Sequence, residues 1–394
     1  MQRKYDFDKV IDRRGTNALK TDALEARYGN ANLIPLWVAD MDFETPSFIV
    51  DALRARIAHP VFGYTQDPPG YRPALVRWLK EQHGWNVKAE WLCYIPGIVK
   101  GIGLALNVFT GKGDKVIIQP PVYHPFRMLP EANEREVAYN PLKLVNNRYE
   151  MDFEQLEKLI DDRCKLFILS NPHNPGGVVW SRETLAILAG ICARHNILVI
   201  SDEIHADMAL YGNRHQPFAT VSEAAAQNSI TFCAPSKTFN IAGLVSSFAV
   251  VPNAAIRTRF YSWLKANELN EPAIFATIAA EAAYTHGHEW LQALLDYLES
   301  NIDFVDNYCS AYIPAIRVMK PQASFLVWLD CRRLHLGHAA LLDLFINKAG
   351  LALNDGEMFG PGGEGFMRMN AGTPRSILEK ALNQLREAIE ISNS

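Results

Sequence analysis

The chain has 394 residues, of which 48% are hydrophobic and 21% charged, and its formal net charge is -4. The length allows two or three domains of about 150 residues each, and the composition is that of an ordinary globular enzyme. A net negative charge provides no basic surface for nucleic acid or an anionic membrane, and no apolar run approaches the roughly 20 residues that span a bilayer.

Apolar runs bounded by turn residues alternate with helical patterns through most of the chain. The first 43 residues are irregular and are expected to form an arm on another part of the assembly. Buried strands are predicted at 92–95, 115–118, 165–169, 197–200, 229–233 and 246–251, with helices at 98–109 and 181–195. Strands and helices in this order predict a doubly wound α/β sheet.

The pattern changes in the last third of the chain. Two long helices are predicted near 271–285 and 290–309, followed by short strands at 325–329 and 366–369. An amphipathic helix is predicted from Pro374 to about Ile391, with proline in its first turn. This return to short strands after two long helices predicts a second, smaller α+β domain.

A carboxylate and a lysine follow two of the predicted strands. Asp202 comes at the end of the run 197–200, and Lys237 follows the run 229–233. Ligands of open α/β sheets bind at the carboxyl ends of strands. Pyridoxal phosphate (PLP) requires this pair, because a lysine forms a Schiff base with its aldehyde and an acid keeps its ring nitrogen protonated. A single lysine is more often a surface residue, so the prediction depends on the pair.

Further positions suit the other parts of this cofactor and its substrate. Gly97 and Ile98 lie where a strand passes into a helix, and free N–H groups at a helix start suit a phosphate. Tyr123, held among prolines, suits stacking on a flat ring. Asn174, in a proline-rich turn, suits a hydrogen bond to a phenolate oxygen. Arg368, in an apolar strand, is costly unless it meets an anion such as a substrate carboxylate.

Each of these positions also has a purely structural interpretation: a tight connection, a loop aromatic, a helix-entry turn or a salt bridge. Asp202, Glu203, His205 and Asp207 leave a metal site open, although too few ligands converge and we predict no metal. The six cysteines form no C-x-x-C pair, and residues 1–7 are too polar for a secretory signal. We therefore expect reduced thiols and a cytoplasmic protein.

Taken together, these segments resemble the fold type I PLP enzymes, the aspartate aminotransferase superfamily. The resemblance runs over nearly the whole chain and keeps the family order of Gly97, Tyr123, Asn174, Asp202, Lys237 and Arg368. It implies a large PLP-binding domain around a mostly parallel seven-stranded sheet, a small α+β domain and a homodimer with shared sites. We accordingly assign residues 1–45 to an N-terminal arm and part of the small domain, 46–290 to the large domain and 291–394 to the C-terminal small domain.

The resemblance also implies a role for each site residue. The catalytic residues are Lys237 at the aldehyde, Asp202 at the ring nitrogen and Tyr123 on the ring. The remaining cofactor contacts are Gly97, Ile98, Asn174, His205 and Ser236, together with Tyr64, which is expected to reach the phosphate of the partner subunit. Substrate contacts are Arg368 at the carboxylate, Ala39 and Asn174.

Within this superfamily, residues 37–43, 61–64, 201–207 and 236–240 resemble the MalY/PatB group of carbon–sulfur β-lyases, which includes bacterial cystathionine β-lyases. His205 stands where aminotransferases commonly have tyrosine, and Val245 where they commonly have arginine. The group implies elimination from L-cystathionine and related cysteine thioethers to a thiol such as homocysteine, pyruvate and ammonia. An aminotransferase on the same scaffold remains an alternative, as does a regulatory protein partner alongside catalysis.

Overall fold

A seven-stranded sheet forms the centre of the structure, a computed structural model that describes residues 4–392. Residues 1–3 of the polar start lie outside the described residues. In chain order the strands are Leu92–Ile95 (β1), Lys115–Ile118 (β2), Glu136–Tyr139 (β3), Cys164–Ser170 (β4), Leu198–Asp202 (β5), Ser229–Cys233 (β6) and Ser247–Val250 (β7). Their spatial order is β1-β7-β6-β5-β4-β2-β3, and β7 is antiparallel to both of its neighbours while the other pairs are parallel.

Helices pack against this sheet, and others lie in the regions outside it. The α-helices are Leu19–Asp22 (α1), Leu24–Tyr28 (α2), Ser47–Ile57 (α3), Tyr71–His83 (α4), Ile98–Phe109 (α5), Pro125–Ala132 (α6), Phe153–Leu159 (α7), Arg182–Arg194 (α8), Glu223–Gln227 (α9), Ala254–Ala266 (α10), Ile274–His286 (α11), His288–Tyr312 (α12), His338–Asp343 (α13) and Arg375–Ser392 (α14). Every residue of β5 and β6 is buried, as expected for parallel strands covered on both faces.

The strand register determines where the functional side chains meet. Ser170 of β4 pairs with Asp202 of β5, and Asp202 pairs with Phe232 of β6. The three parallel strands therefore end together at one edge of the sheet. Lys237 follows β6 by a few residues, so it lies at the same edge as Asp202.

A second sheet follows the long helix α12. It contains Arg317–Met319 (β8), Leu326–Asp330 (β9), Asn354–Asp355 (β10) and Phe366–Asn370 (β11), which are antiparallel in the order β8-β9-β11-β10. The N-terminal part of the chain joins this region, because Ile34–Pro35 pairs in parallel with Leu351–Ala352. The domain limits given above stay a prediction.

The predicted doubly wound α/β architecture, with a mostly parallel seven-stranded sheet and a smaller α+β part, is confirmed. All six cysteines are free and buried. Among residues 4–392, no helix combines the length and the apolar character needed to cross a membrane.

Candidate active site

A cavity of about 290 Å³ lies at the carboxyl edge of the central sheet. It is lined by most of the predicted site residues, namely Ala39, Gly97, Ile98, Tyr123, Asn174, Asp202, His205, Ser236 and Lys237. These residues come from segments spread over about 200 positions of the chain, and the strand ends bring them together. Other residues that were not predicted as site residues also line the cavity, among them Lys100, Ser170, Pro172 and Ala242.

Lys237 is buried in this cavity, and its Nζ donates a hydrogen bond to the carbonyl oxygen of Ala39. Burial, partly opposed by Asp40 and Asp202 and assisted by the charge of Arg368, lowers the pKa of its ammonium group to about 8. A lysine with this pKa loses its proton far more readily than a surface lysine. Lys237 is therefore suited to act as a nucleophile and as a base near neutral pH.

Asp202 ends β5 as a buried carboxyl group with little support for a negative charge. Its Oδ1 accepts the N–H of Ile204 at 3.1 Å, and burial raises its pKa to about 7. Lys237 lowers this pKa only in part. A buried acid in this condition is stabilised as the anion by a cationic group placed against it, such as a protonated pyridine nitrogen.

The start of α5 forms one end of the cavity and offers N–H groups that suit a phosphate. Gly97 adopts φ 104°, a conformation that favours glycine, and its own N–H donates to the carbonyl oxygen of Ile95 at 2.8 Å. Gly97 thus forms the turn, while the N–H groups of Ile98, Val99 and Lys100 stand in the first helical turn without intrahelical acceptors. Ser236 also lines the cavity and adds a hydroxyl group.

Arg368 lies behind Asn174 and is not part of the cavity lining. It is buried, and it donates to Asn174 Oδ1 at 3.0 Å, to Asn354 Oδ1 at 2.6 Å and to the carbonyl oxygen of Trp37 at 3.2 Å. Its Nε is buried without an acceptor, and burial lowers its pKa to about 10. A buried guanidinium with neutral partners and a free N–H fits a carboxylate ligand.

The loop that carries Asn174 is held by Ser170. The Ser170 hydroxyl accepts the N–H of Asn174 at 3.0 Å and donates to the carbonyl oxygen of Pro172 at 3.2 Å. The rigidity expected of this proline-rich turn therefore has a specific hydrogen-bonded support. His173 does not face the cavity, because its ring bonds the Pro121 carbonyl oxygen and the Gly176 N–H.

The segment 37–43 contributes Ala39 to the cavity lining, and Asn240 holds this segment in place. The Asn240 side chain accepts the N–H of Met41 at 3.0 Å and donates to the carbonyl oxygens of Met41 at 3.0 Å and Phe43 at 2.8 Å. This positions the Ala39 carbonyl against Lys237. Asn240 belongs to the motif 236–240, but nothing in its local sequence indicated this long-range role.

His205 and Tyr123 line the cavity as predicted. Burial, together with the charges of Lys237 and Arg368, lowers the pKa of His205 to about 3, so the ring is neutral at pH 7. Its Nδ1 is buried without a hydrogen-bond partner. The ring meets Phe325 edge to face with centroids 6.3 Å apart. A neutral imidazole in this position supplies one donor and one acceptor to a bound ring.

The other acidic residues of this region face away from the cavity. Asp207 accepts from Trp78 and Thr238 and pairs with His83 at 2.8 Å. Glu203 pairs with His215 at 2.8 Å. Over residues 4–392, no group of three or more histidine, cysteine, aspartate or glutamate side chains is arranged to hold a metal ion.

Tyr64, like Arg368, is a predicted site residue that does not line the cavity of the single chain. Its side chain is fully exposed, and the neighbouring Val61 and Phe62 are 61% and 56% exposed. These residues belong to a stretch, 57–66, in which every residue is exposed.

The cavity as a whole fits PLP. It presents a lysine of lowered pKa, a buried acid of raised pKa, a half-buried aromatic ring and free helical N–H groups, which are the kinds of group that bind the parts of this cofactor. The guanidinium group of Arg368, next to Asn174, has an Nε without an acceptor and is therefore suited to an anionic ligand.

Comparison with known proteins gives matches over almost the entire chain. Residues 31–385 match the family "Aminotransferase class I and II". The chain is 43% identical to cystathionine beta-lyase PatB of Bacillus subtilis (strain 168), covering 98% of this chain and 100% of that protein. It is 34% identical to protein MalY of Escherichia coli (strain K12), covering 98% and 99%. The crystal structure of the PLP-bound C–S lyase from Staphylococcus hominis superposes with a TM-score of 0.90 at 34% identity, covering 98% of each chain.

Proposed function

Since the chain belongs to the family of class I and II aminotransferases, we propose that within it the protein is a PLP-dependent carbon–sulfur β-lyase. The reaction is elimination from L-cystathionine and related cysteine thioethers, which with water gives a thiol such as homocysteine, pyruvate and ammonia. The observation that carries the PLP dependence is the cavity that Lys237 and Asp202 both line with shifted pKa values. The 43% identity to a cystathionine β-lyase supports the reaction type.

When bound, PLP would supply an aldehyde that captures amines and a ring that accepts electrons. Lys237 would hold the cofactor at rest and, once freed by the substrate amine, take the proton from the substrate Cα. Its pKa of about 8 gives a useful fraction of neutral amine at neutral pH. Asp202, ionised beside a cationic ring nitrogen, would stabilise the protonated ring.

Arg368 and Asn174 would orient the substrate. The Nε of Arg368 would bind the α-carboxylate, and the hydrogen bond from Arg368 fixes the Oδ1 of Asn174. Because that bond engages Oδ1 as acceptor, the Asn174 amide nitrogen is left to donate into the cavity, where it suits the ring oxygen. The segment 37–43, held by Asn240, would exclude water from this side.

The decisive experiment measures pyruvate, ammonia and homocysteine from L-cystathionine without added keto acid. We expect the three products in equal amounts, and no turnover in Lys237→Ala. Lys112→Ala is the matched control, because Lys112 pairs with Glu134 on the surface and should leave turnover unchanged. Borohydride reduction of the purified protein should attach the cofactor to Lys237. An adduct on another lysine, or cystathionine left intact, would contradict the proposal.

The alternative is an aminotransferase, which the family match favours as much as it favours a lyase. Both reactions use the same lysine, so the site residues alone do not separate them. Aspartate or alanine with 2-oxoglutarate should give little product if the proposal is correct. Faster transamination, with cystathionine inert, would favour the alternative.

We further propose a cytoplasmic homodimer in which Tyr64 reaches the phosphate at the partner subunit's site. The exposed apolar side chains of residues 57–66 support a second copy covering this stretch. The six free, buried thiols fit a reducing compartment. A regulatory protein partner remains a prediction, and a pulldown that captures a protein on a surface remote from the cavity would support it.

A further inference from the structure

Lys100 lies at the phosphate-binding end of the cavity, three residues after the Gly97 turn. We propose that its ammonium group binds the cofactor phosphate and is the principal cation there. This inference rests on the proposed function, because it takes PLP as the ligand.

The distribution of charged side chains around the cavity indicates Lys100 as the cation for the phosphate. A phosphate monoester carries close to two negative charges at neutral pH, so it requires cations as well as N–H donors. Among the residues that line the cavity, all within the described part of the chain, the lysines are Lys100 and Lys237 and there is no arginine. Lys237 is committed to the aldehyde end. His205 is neutral, because its pKa is about 3.

Neighbouring groups do not replace this charge. Arg368 lies behind Asn174, where three oxygen atoms already hold its two terminal nitrogens. Val245, which stands where aminotransferases commonly have arginine, borders the turn. A Cβ placed on Gly97 would lie 3.7 Å from the Cγ1 of Val245. Val245 therefore places an apolar side chain beside the turn. Among the described residues that line the cavity, Lys100 is therefore the cationic side chain that remains for this end.

Lys100 is also available for the role. Its side chain is exposed, and within residues 4–392 it makes no ion pair or side-chain hydrogen bond. Its backbone N–H belongs to the first turn of α5, as do those of Ile98 and Val99. The ammonium group, the free N–H groups and the positive end of the helix dipole thus act on the same anion.

The test compares PLP with pyridoxal, which lacks the phosphate. Dissociation constants for both are measured by equilibrium dialysis for the full-length wild-type protein, Lys100→Gln, Lys100→Arg and the surface control Lys112→Gln. We expect Lys100→Gln to weaken PLP binding by about 10- to 100-fold, as for a lost charge-assisted hydrogen bond, and to leave pyridoxal binding unchanged. Lys100→Arg should retain most of the affinity, and Lys112→Gln all of it.

Salt dependence provides a second readout. The affinity of the wild-type protein for PLP should fall more steeply with ionic strength than that of Lys100→Gln, because the variant has lost the charge interaction. If Lys100→Gln keeps the wild-type preference for PLP over pyridoxal, the inference is wrong while the proposed function stands. If the wild-type protein binds neither compound, the proposed function itself fails.

Discussion

Asp202 shows how a residue that suits catalysis destabilises the protein without cofactor. Burial raises its pKa from 3.8 to about 7, so the folded state favours the neutral acid relative to the unfolded chain. Its contribution to stability is therefore complete below about pH 4 and is lost as the pH rises towards 7. Above pH 7 the folded chain contains a buried, poorly compensated carboxylate.

We therefore expect Asp202→Asn to stabilise the cofactor-free protein at pH 8, by about 2–4 kcal/mol, while it abolishes most turnover of the loaded enzyme. The amide avoids the buried charge but cannot keep the ring nitrogen protonated. Urea unfolding of the cofactor-free variants at pH 5 and pH 8 measures the first effect. Equal stability of variant and wild type at pH 8 would contradict it.

Asp207 provides the matched control for this stability measurement. Burial alone raises its pKa, but hydrogen bonds from His83, Trp78 and Thr238 outweigh burial and lower it. Its stabilising contribution is present above about pH 4 and is lost at lower pH. Asp207→Asn should therefore destabilise the protein at pH 8, which is the opposite sign to Asp202→Asn.

Arg368 is predicted to act on binding more than on chemistry. Arg368→Lys keeps a positive charge but loses the planar group that holds Asn174 and presents Nε to a carboxylate. We expect the KM for L-cystathionine to rise by about 10-fold or more, with a smaller change in kcat. Steady-state kinetics of pyruvate release measures both constants, and an unchanged KM would exclude Arg368 as the carboxylate ligand.

At the level of elements, the turn from β1 into α5 requires glycine at position 97. Glycine is not required at every position of α5. Gly97→Ala should destabilise the protein by about 1–3 kcal/mol, because φ 104° is strained for any residue with a Cβ although space is available. Gly103→Ala is the control within the same helix. A Cβ there would lie 3.5 Å from Leu129, an ordinary contact, so alanine should stabilise α5 by about 0.5–1 kcal/mol. Thermal unfolding of both variants tests the contrast.

Much of the fold was predictable because its strands are buried on both faces. Three predicted strands match their observed bounds, including Lys115–Ile118 and Ser229–Cys233, since continuous apolar runs mark them. The strand β3, Glu136–Tyr139, was missed. It lies at the edge of the sheet with partly exposed side chains, so it has no apolar run. The helices α3 and α4 were missed as well, because the sequence of their region indicated only that strands and helices alternate there.

The site was predictable where a local motif signals chemistry. Asp202 and Lys237 follow strands that end at the same edge, and strand order brings them together. The position of Arg368 behind Asn174 and the role of Asn240 were not predictable, because both depend on contacts between segments far apart in the chain. Lys100 gave no signal either, since an isolated lysine on a helix usually faces solvent.

For the whole molecule, the stretch between α3 and α4 is the strongest indication of a second subunit. Residues 57–66 are exposed throughout and include Val61, Phe62 and Tyr64. Side chains of this kind are costly in water when they lie together. In the proposed dimer, each site therefore takes Lys237 from one subunit and Tyr64 from the other.

Mixing two inactive variants tests this arrangement. Lys237→Ala lacks the base, and Tyr64→Ala lacks the residue that would reach the partner subunit's site, so each homodimer should be inactive or nearly so. A hybrid dimer contains one site with both residues intact and one site with neither. Random exchange of subunits should therefore restore about a quarter of the wild-type turnover, because half of the dimers are hybrids with one working site each. Pyruvate release from L-cystathionine is measured after unfolding and refolding the mixture, with each variant refolded alone as the control. Full activity of a monomer, or no recovery in mixtures shown to contain hybrids, would contradict shared sites.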